Sequence, residues 1–270
     1  MTNFTDFLVE AYLTEGGKAI KGTASVTQIQ ARNLIPGLLK HVSSTLGLKS
    51  THVKLIGSAG KKPTDDDLSG DIDLAVQVSP DSVEKALVDL AYDKKSHRSF
   101  KGLNVYSFAH PVEDQIVQVD LMPVNNIDYA AWSFQAHEND LKQGYKGAHR
   151  NEVMFAVAKH ATPKNPNERY FYDLSRGLMV GKQSTIKGKK GQDLKGKKTT
   201  DKRVLTDDPD EVTAILFGKH IRAAHLNHFD GVWKALTNSK FPYADKQSEI
   251  FKQIKTGIVG KKLKLPEVLA

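Results

Sequence analysis

A chain of 270 residues, 39% hydrophobic and 26% charged with a formal charge of +8, can build one large domain or two modest ones and is too apolar for wholesale disorder. No apolar run is long enough to cross a bilayer, and the start MTNFTDFLVEAYLTEGG has acidic residues where a secretory signal needs a basic stretch ahead of an apolar core. With no cysteine the chain has no disulfide, thiolate chemistry or Cys-ligated metal, and the expected compartment is the cytoplasm.

In chain order, an N-terminal segment (1–25) carries a first helix over 4–13. The stretch SVTQIQARNLIPGLLKHVSSTLGL reads as a second helix: Leu34, Ile35, Leu38, Leu39, Val42 and Leu46 recur at helical spacing, and Thr27 with Gln30 forms a capping box. Pro36 either kinks that helix or marks a later start. HVKLIGS follows as a strand ending in Gly-Ser, then a polar loop (59–70), a strand from Asp71 to Val78, and a helix opened by Ser79-Pro80. GLNVYSF and QIVQVDLMPV alternate as strands joined by a hairpin at AHPVEDQ. This order describes an α+β core (26–125), a small mixed sheet with helices packed on one face. The remainder (126–270) reads as mainly helical, with RYFYDLSRGLMVGKQ as a candidate hairpin turning at Ser175-Arg176-Gly177.

Chemistry concentrates in LIGSAGKKPTDDDLSGDIDLAV. Strand alternation sends Asp71 and Asp73 to one face and Ile72, Leu74 and Val76 to the other. The same rule turns Asp120 and Gln118 away from Val117, Val119 and Leu121. If the two strands are neighbours, three carboxylates meet on the open face, where repulsion calls for a cation. All-oxygen donors suit Mg²⁺ or Mn²⁺. The Gly57-Ser58 corner allows close backbone approach and offers a hydroxyl and N–H groups to phosphate oxygens, with Lys61 and Lys62 adding positive charge. Such a pairing is what two-metal nucleotidyl transfer requires.

The Gly-Ser corner, the apolar-flanked Asp-x-Asp and the later QVDLM resemble the DNA polymerase β-type nucleotidyltransferase superfamily over residues 26–125. The resemblance implies a polymerase β-like core that moves an NMP from an NTP, ATP by default, to an acceptor hydroxyl with release of pyrophosphate. It implies that Asp71 and Asp73 bind two Mg²⁺ or Mn²⁺ ions, that Asp120 completes the site and helps activate the acceptor, and that Gly57 and Ser58 hold the triphosphate. In relatives a basic residue on a helix after the third carboxylate contacts the triphosphate, which nominates Lys146 and Arg150. Gly70 departs from the Ser of many relatives, and Asp65, Asp66 and Asp67 make the linker unusually acidic. YKGAHRNEVMFAVAKH and the Gly/Lys-rich stretch also resemble nucleotidyltransferase-like proteins of tailed bacteriophages, which implies a host cytoplasm.

Residues 182–203 carry nine Lys/Arg against two Asp. This basic Gly/Lys-rich loop is either a solvated tether or a contact for the phosphate backbone of RNA or another nucleic acid. The rival to an enzyme is an inactive module of the same fold that binds nucleic acid or a protein partner through that loop. His225 and His228 fall on one face of an expected helix and read as surface rather than metal ligands. Phe100, Tyr106 and Phe108 read as packing in preference to base stacking, whereas Tyr170, Phe171 and Tyr172 stay open between packing and a single-strand platform.

Overall fold

The structure, a computed structural model, describes residues 19–134, 136–187 and 193–269, of which residues 103, 183–187 and 193–199 are described by backbone alone. The helix expected over 4–13 lies outside the described residues. Two units divide the chain, Met1–Ala148 with Val259–Lys264, and His149–Ile258 with Leu265–Ala270. Among the described residues no helix is long and apolar enough to cross a membrane.

In the first unit a short strand β1 (Val26–Thr27) leads into helix α1 (Gln28–Thr45). Thr27 and Gln30 form the expected reciprocal capping box, worth about 1 kcal/mol for such a cap. Helix α1 continues through Pro36 without ending, at the cost of one backbone hydrogen bond. Strands β2 (Val53–Leu55), β4 (Asp71–Val76), β5 (His97–Phe100), β6 (Val105–Val112) and β7 (Gln115–Pro123) form one mixed sheet in the order β2-β4-β7-β6-β5. β4 and β7 run parallel; every other pair is antiparallel. The fold is α+β. Strand β5 is an addition to the expected set, and the β6–β7 hairpin turns at Glu113–Asp114, later than expected, because Ala109 to Val112 stay paired with β7.

Helix α1 and helix α2 (Pro80–Leu90), capped by Ser79, cover one face of the sheet. Leu38, Val42, Ile72, Leu74, Val83, Leu87, Phe108, Val119 and Leu121 make the core there. Each such side chain contributes about 1.5–3 kcal/mol by leaving water. Helices are not confined to that face: Ile127 and Ala130 of helix α3 (Ile127–Ser133) pack with Ile56, Ala75 and Val124 on the other, at the end of β4 away from Asp71. Ala75 shares the face of Asp71 and Asp73, so α3 closes one end of that face.

The loop between β2 and β4 is tied down. Its strand β3 (Leu68–Ser69) pairs with β1, and the carbonyl of Asp65 accepts from the N–H groups of Gln28 and Ile29 at 2.9 and 3.3 Å. The Asp65 carboxylate pairs with Arg32. The buried Gln28 amide donates to Asp67 O and Ser69 Oγ, both at 3.0 Å, and accepts from Lys62 N–H at 3.1 Å. A polar linker is thus fixed by one glutamine and one helix end.

The second unit adds a three-stranded sheet to the helices expected of the remainder. Helix α4 (Glu138–Lys142) precedes the division, and α5 (Gly147–His160) leads into it. Strands β8 (Glu168–Asp173), β9 (Gly177–Lys187) and β10 (Asp193–Thr206) then form an antiparallel sheet, followed by helices α6 (Pro209–Phe217), α7 (Phe229–Leu236) and α8 (Gln247–Gly260). The hairpin expected at Ser175–Gly177 forms. The described residues of the basic stretch 182–203 are not a loop but lie in the paired arms of β9 and β10. Strand pairing satisfies backbone groups without needing an apolar face, so a polar, Lys-rich sequence hides it.

Candidate metal centre

Parallel pairing sets Asp73 opposite Asp120 and Asp71 opposite Gln118, so all four side chains leave the sheet on one face. One carboxylate oxygen from each of Asp71, Asp73 and Asp120 lies within 4.8 Å of the other two. Asp71 and Asp73 are half-buried and Asp120 is fully buried. The face expected to be open is therefore closed at Asp120.

Burial lifts the pKa of Asp73 well above the usual carboxylate range, and the charges of Asp71 and Asp120 push it the same way; the Lys61 ammonium opposes them. Divalent cations remove that repulsion. Three hard oxygen donors at this separation can hold a metal ion.

The Gly57-Ser58 bend stands directly against Asp73. Ile56 N–H donates to Asp73 O at 2.9 Å, which carries the chain past β4 into the bend. Gly57 has φ +67°, and a Cβ there would overlap the Asp73 carboxylate oxygen and stand 3.2 Å from its Cγ. Only glycine leaves that carboxylate its place. The bend closes as Lys61 N–H donates to Ser58 O at 3.2 Å, and Lys61 Nζ donates to Gly57 O at 3.1 Å. Burial lowers the Lys61 pKa, with Asp73 pulling the other way.

Lys62 is pushed down by burial and then by the charge of Lys146, while Asp67 and Asp71 pull it up. Lys146, exposed just ahead of α5, therefore shares an electrostatic neighbourhood with Lys62 and Asp71. Arg150 is buried in the second unit.

Strand alternation gives only the facing of Gln118, and it singles out neither Ser107 nor Arg98, which lie in register with Asp120 on the next two strands. Gln118 is fully buried; its Nε2 donates to both Asp120 oxygens at 2.9 and 3.1 Å, and its Oε1 accepts from Ala19 and Ile20 N–H at 2.8 and 3.2 Å. It holds Asp120 while tethering an N-terminal turn. Ser107, on β6, is paired with Asp120, fully buried, and its Oγ has no hydrogen-bond partner among the described residues. Arg98 pairs with Ser107 one strand further out, and its guanidinium lies 4.7 Å from the centre of the Phe100 ring.

Tyr106 and Phe108 belong to the helix-covered core, as the packing reading holds. Tyr172 is buried with its ring 5.4 Å from that of Phe155. His225 and His228 do not share a helix face: His225 sits in a short 3-10 turn (Ala223–Leu226), its Nδ1 accepting from Arg222 N–H at 3.0 Å, and His228 is the extended residue before α7.

No protein-family model matches the chain, and no curated protein matches it.

Without divalent cations, Asp73→Asn is expected to stabilise the protein, since the amide keeps the carboxylate's shape and removes the opposed charge. A raised folded pKa gives stability that is complete below the unfolded value, about 3.9, and is lost as pH rises through the folded value. The advantage of Asn is thus largest at neutral pH and vanishes in acid. Thermal unfolding in chelator from acid to neutral pH reads it, at about 2–4 °C per kcal/mol for a chain of this size. Saturating Mn²⁺ reverses the order: at a hundred times Kd it adds about 2.7 kcal/mol to the wild type and little to the variant.

Proposed function

We propose that the chain is a metal-dependent nucleotidyltransferase with a polymerase β-like core, moving an NMP from an NTP to an acceptor hydroxyl. The observation that carries this reading is the convergence of Asp71, Asp73 and Asp120 within 4.8 Å, beside a bend in which Gly57 has no room for a side chain. In the reaction the acceptor oxygen bonds to the α-phosphorus, the bond from that phosphorus to the bridging oxygen breaks, pyrophosphate leaves and the hydroxyl proton passes to solvent.

The fit to two Mg²⁺ or Mn²⁺ ions rests on the donor set: Asp71 and Asp73 are the residues for both, with Asp120 as the third. When bound, such ions acidify the acceptor hydroxyl and neutralise the triphosphate and the leaving pyrophosphate. Gly57 admits the phosphate chain close to the backbone, and Ser58 supplies a hydroxyl to it. Lys61, Lys62 and Lys146 provide the positive field on that side. Gln118 keeps Asp120 in one orientation for the acceptor.

The test is incubation of purified protein with Mg²⁺ or Mn²⁺, each labelled NTP and a panel of RNA and small hydroxyl acceptors. Divalent-dependent label transfer with pyrophosphate release is the expected result. Absence of pyrophosphate from every NTP with both metals overturns the reading.

A further inference from the structure

Within the second unit, a pocket of about 410 Å³ is lined by Lys159, His160, Ala161, Thr162, Pro166, Arg169 and Lys246. Helix α5 ends there, β8 supplies Arg169, and the turn before α8 supplies Lys246. The hydrogen-bond partners of its three cationic side chains are all neutral. Lys246 Nζ donates to His160 O at 3.1 Å and Thr162 Oγ1 at 2.9 Å, Lys159 Nζ to Gln253 Oε1 at 2.7 Å, and Arg169 Nη1 to Glu168 O at 3.2 Å. Among the described residues none of the three joins an ion pair.

A structural role accounts for part of this. The carbonyl end of a helix carries about half a negative charge and favours Lys or His in its last turn, and Lys246 caps it. Half a charge does not balance three cations. The repulsion is felt locally: burial lowers the His160 pKa, Lys159 and Lys246 add to the effect, and only Glu249 opposes it. Arg169 and Lys159 keep unused donors, and the volume suits a small anionic group.

The pocket also adjoins the most basic part of the chain. Arg169 is paired with Gly181, and the next pair along is Glu168 with Lys182, where the stretch 182–203 with its nine Lys/Arg begins. Two residues along β8, on the same strand face as Arg169, the Phe171 ring has Lys202 Nζ 4.8 Å from its centre. A ligand with one phosphate would satisfy the pocket alone; one with phosphates in series can also meet Lys202.

We propose that this pocket binds a phosphate of a nucleic-acid strand whose next phosphate lies toward Lys202 on β10. The assignment is independent of the nucleotidyl-transfer reading, since the triad belongs to the other unit.

The experiment is fluorescence anisotropy of a labelled 12-nucleotide single-stranded RNA with the full chain over a series of salt concentrations. Lys159→Gln/Arg169→Gln is expected to weaken binding about tenfold at physiological salt and to flatten the plot of log K against log salt by about 1.4, at about 0.7 per lost phosphate contact. Lys159→Arg should bind as the wild type does, which separates charge from damage to the fold. Unchanged affinity and slope in the double variant overturn the proposal. So does tight binding of ATP or inorganic phosphate that needs Lys159 and Arg169 while RNA binding does not, because the ligand is then a free phosphate compound. Mn²⁺ uptake by the triad should be the same in all variants.

Discussion

Replacing Asp71 and Asp73 together by alanine is expected to lower nucleotidyl transfer by at least about 1,000-fold, or about 4 kcal/mol in the barrier. Two of three converging donors vanish, and Asp120 alone gives a divalent ion one protein ligand. The fold should survive, because the substitution removes a carboxylate whose pKa is held up by burial and then by the charges of its neighbours. Asp66→Asn, in the exposed linker, provides the contrast: the acidic charge falls by the same kind of step, with activity retained. Steady-state transfer rates with circular dichroism check both outcomes.

Gly57→Ala is expected to cost at least about 100-fold in kcat, the scale on which a 1 Å displacement of a reacting group is felt. Two effects combine. The backbone at φ +67° suits glycine, and the new Cβ would occupy the space of the Asp73 carboxylate. The strain alone is worth about 1–3 kcal/mol. Gly47→Ala separates the two: its φ is +64°, but no described residue beyond its chain neighbours lies within 4 Å of a Cβ there. Loss of stability in both variants with loss of transfer only at Gly57 isolates the displacement of Asp73. Equal activity in the two contradicts the close fit of bend and carboxylate.

The triad was legible in the sequence because strand alternation fixes facing without any knowledge of the fold, and Asp-Ile-Asp-Leu-Ala-Val leaves one choice of buried face. The capping residues Thr27 and Ser79 were legible for the same local reason. Adjacency of β4 and β7 was not; it depends on which strands pair, a long-range matter settled by the core of Leu74, Val119 and Leu121. Gln28 and Gln118 were invisible as organisers since a buried amide and a solvated one look alike in sequence. Their roles exist only once a loop carbonyl or a carboxylate is brought beside them. The hairpin of β9 and β10 is hidden because lysine and glycine signal a loop by composition, whereas backbone pairing is indifferent to a polar surface. A spacing of three fits helical period and suggests one helix for His225 and His228; the 3-10 turn ends the continuity between them.

The central claim is that three aspartates hold divalent cations together. Its most direct measurement is a Mn²⁺ titration followed by electron paramagnetic resonance, with Mg²⁺ as competitor. Saturable uptake of two ions per chain by the wild type, weakened by Asp120→Asn and absent from Asp71→Ala/Asp73→Ala, is the predicted result. No saturable uptake by the wild type, or uptake that the double variant retains in full, contradicts it.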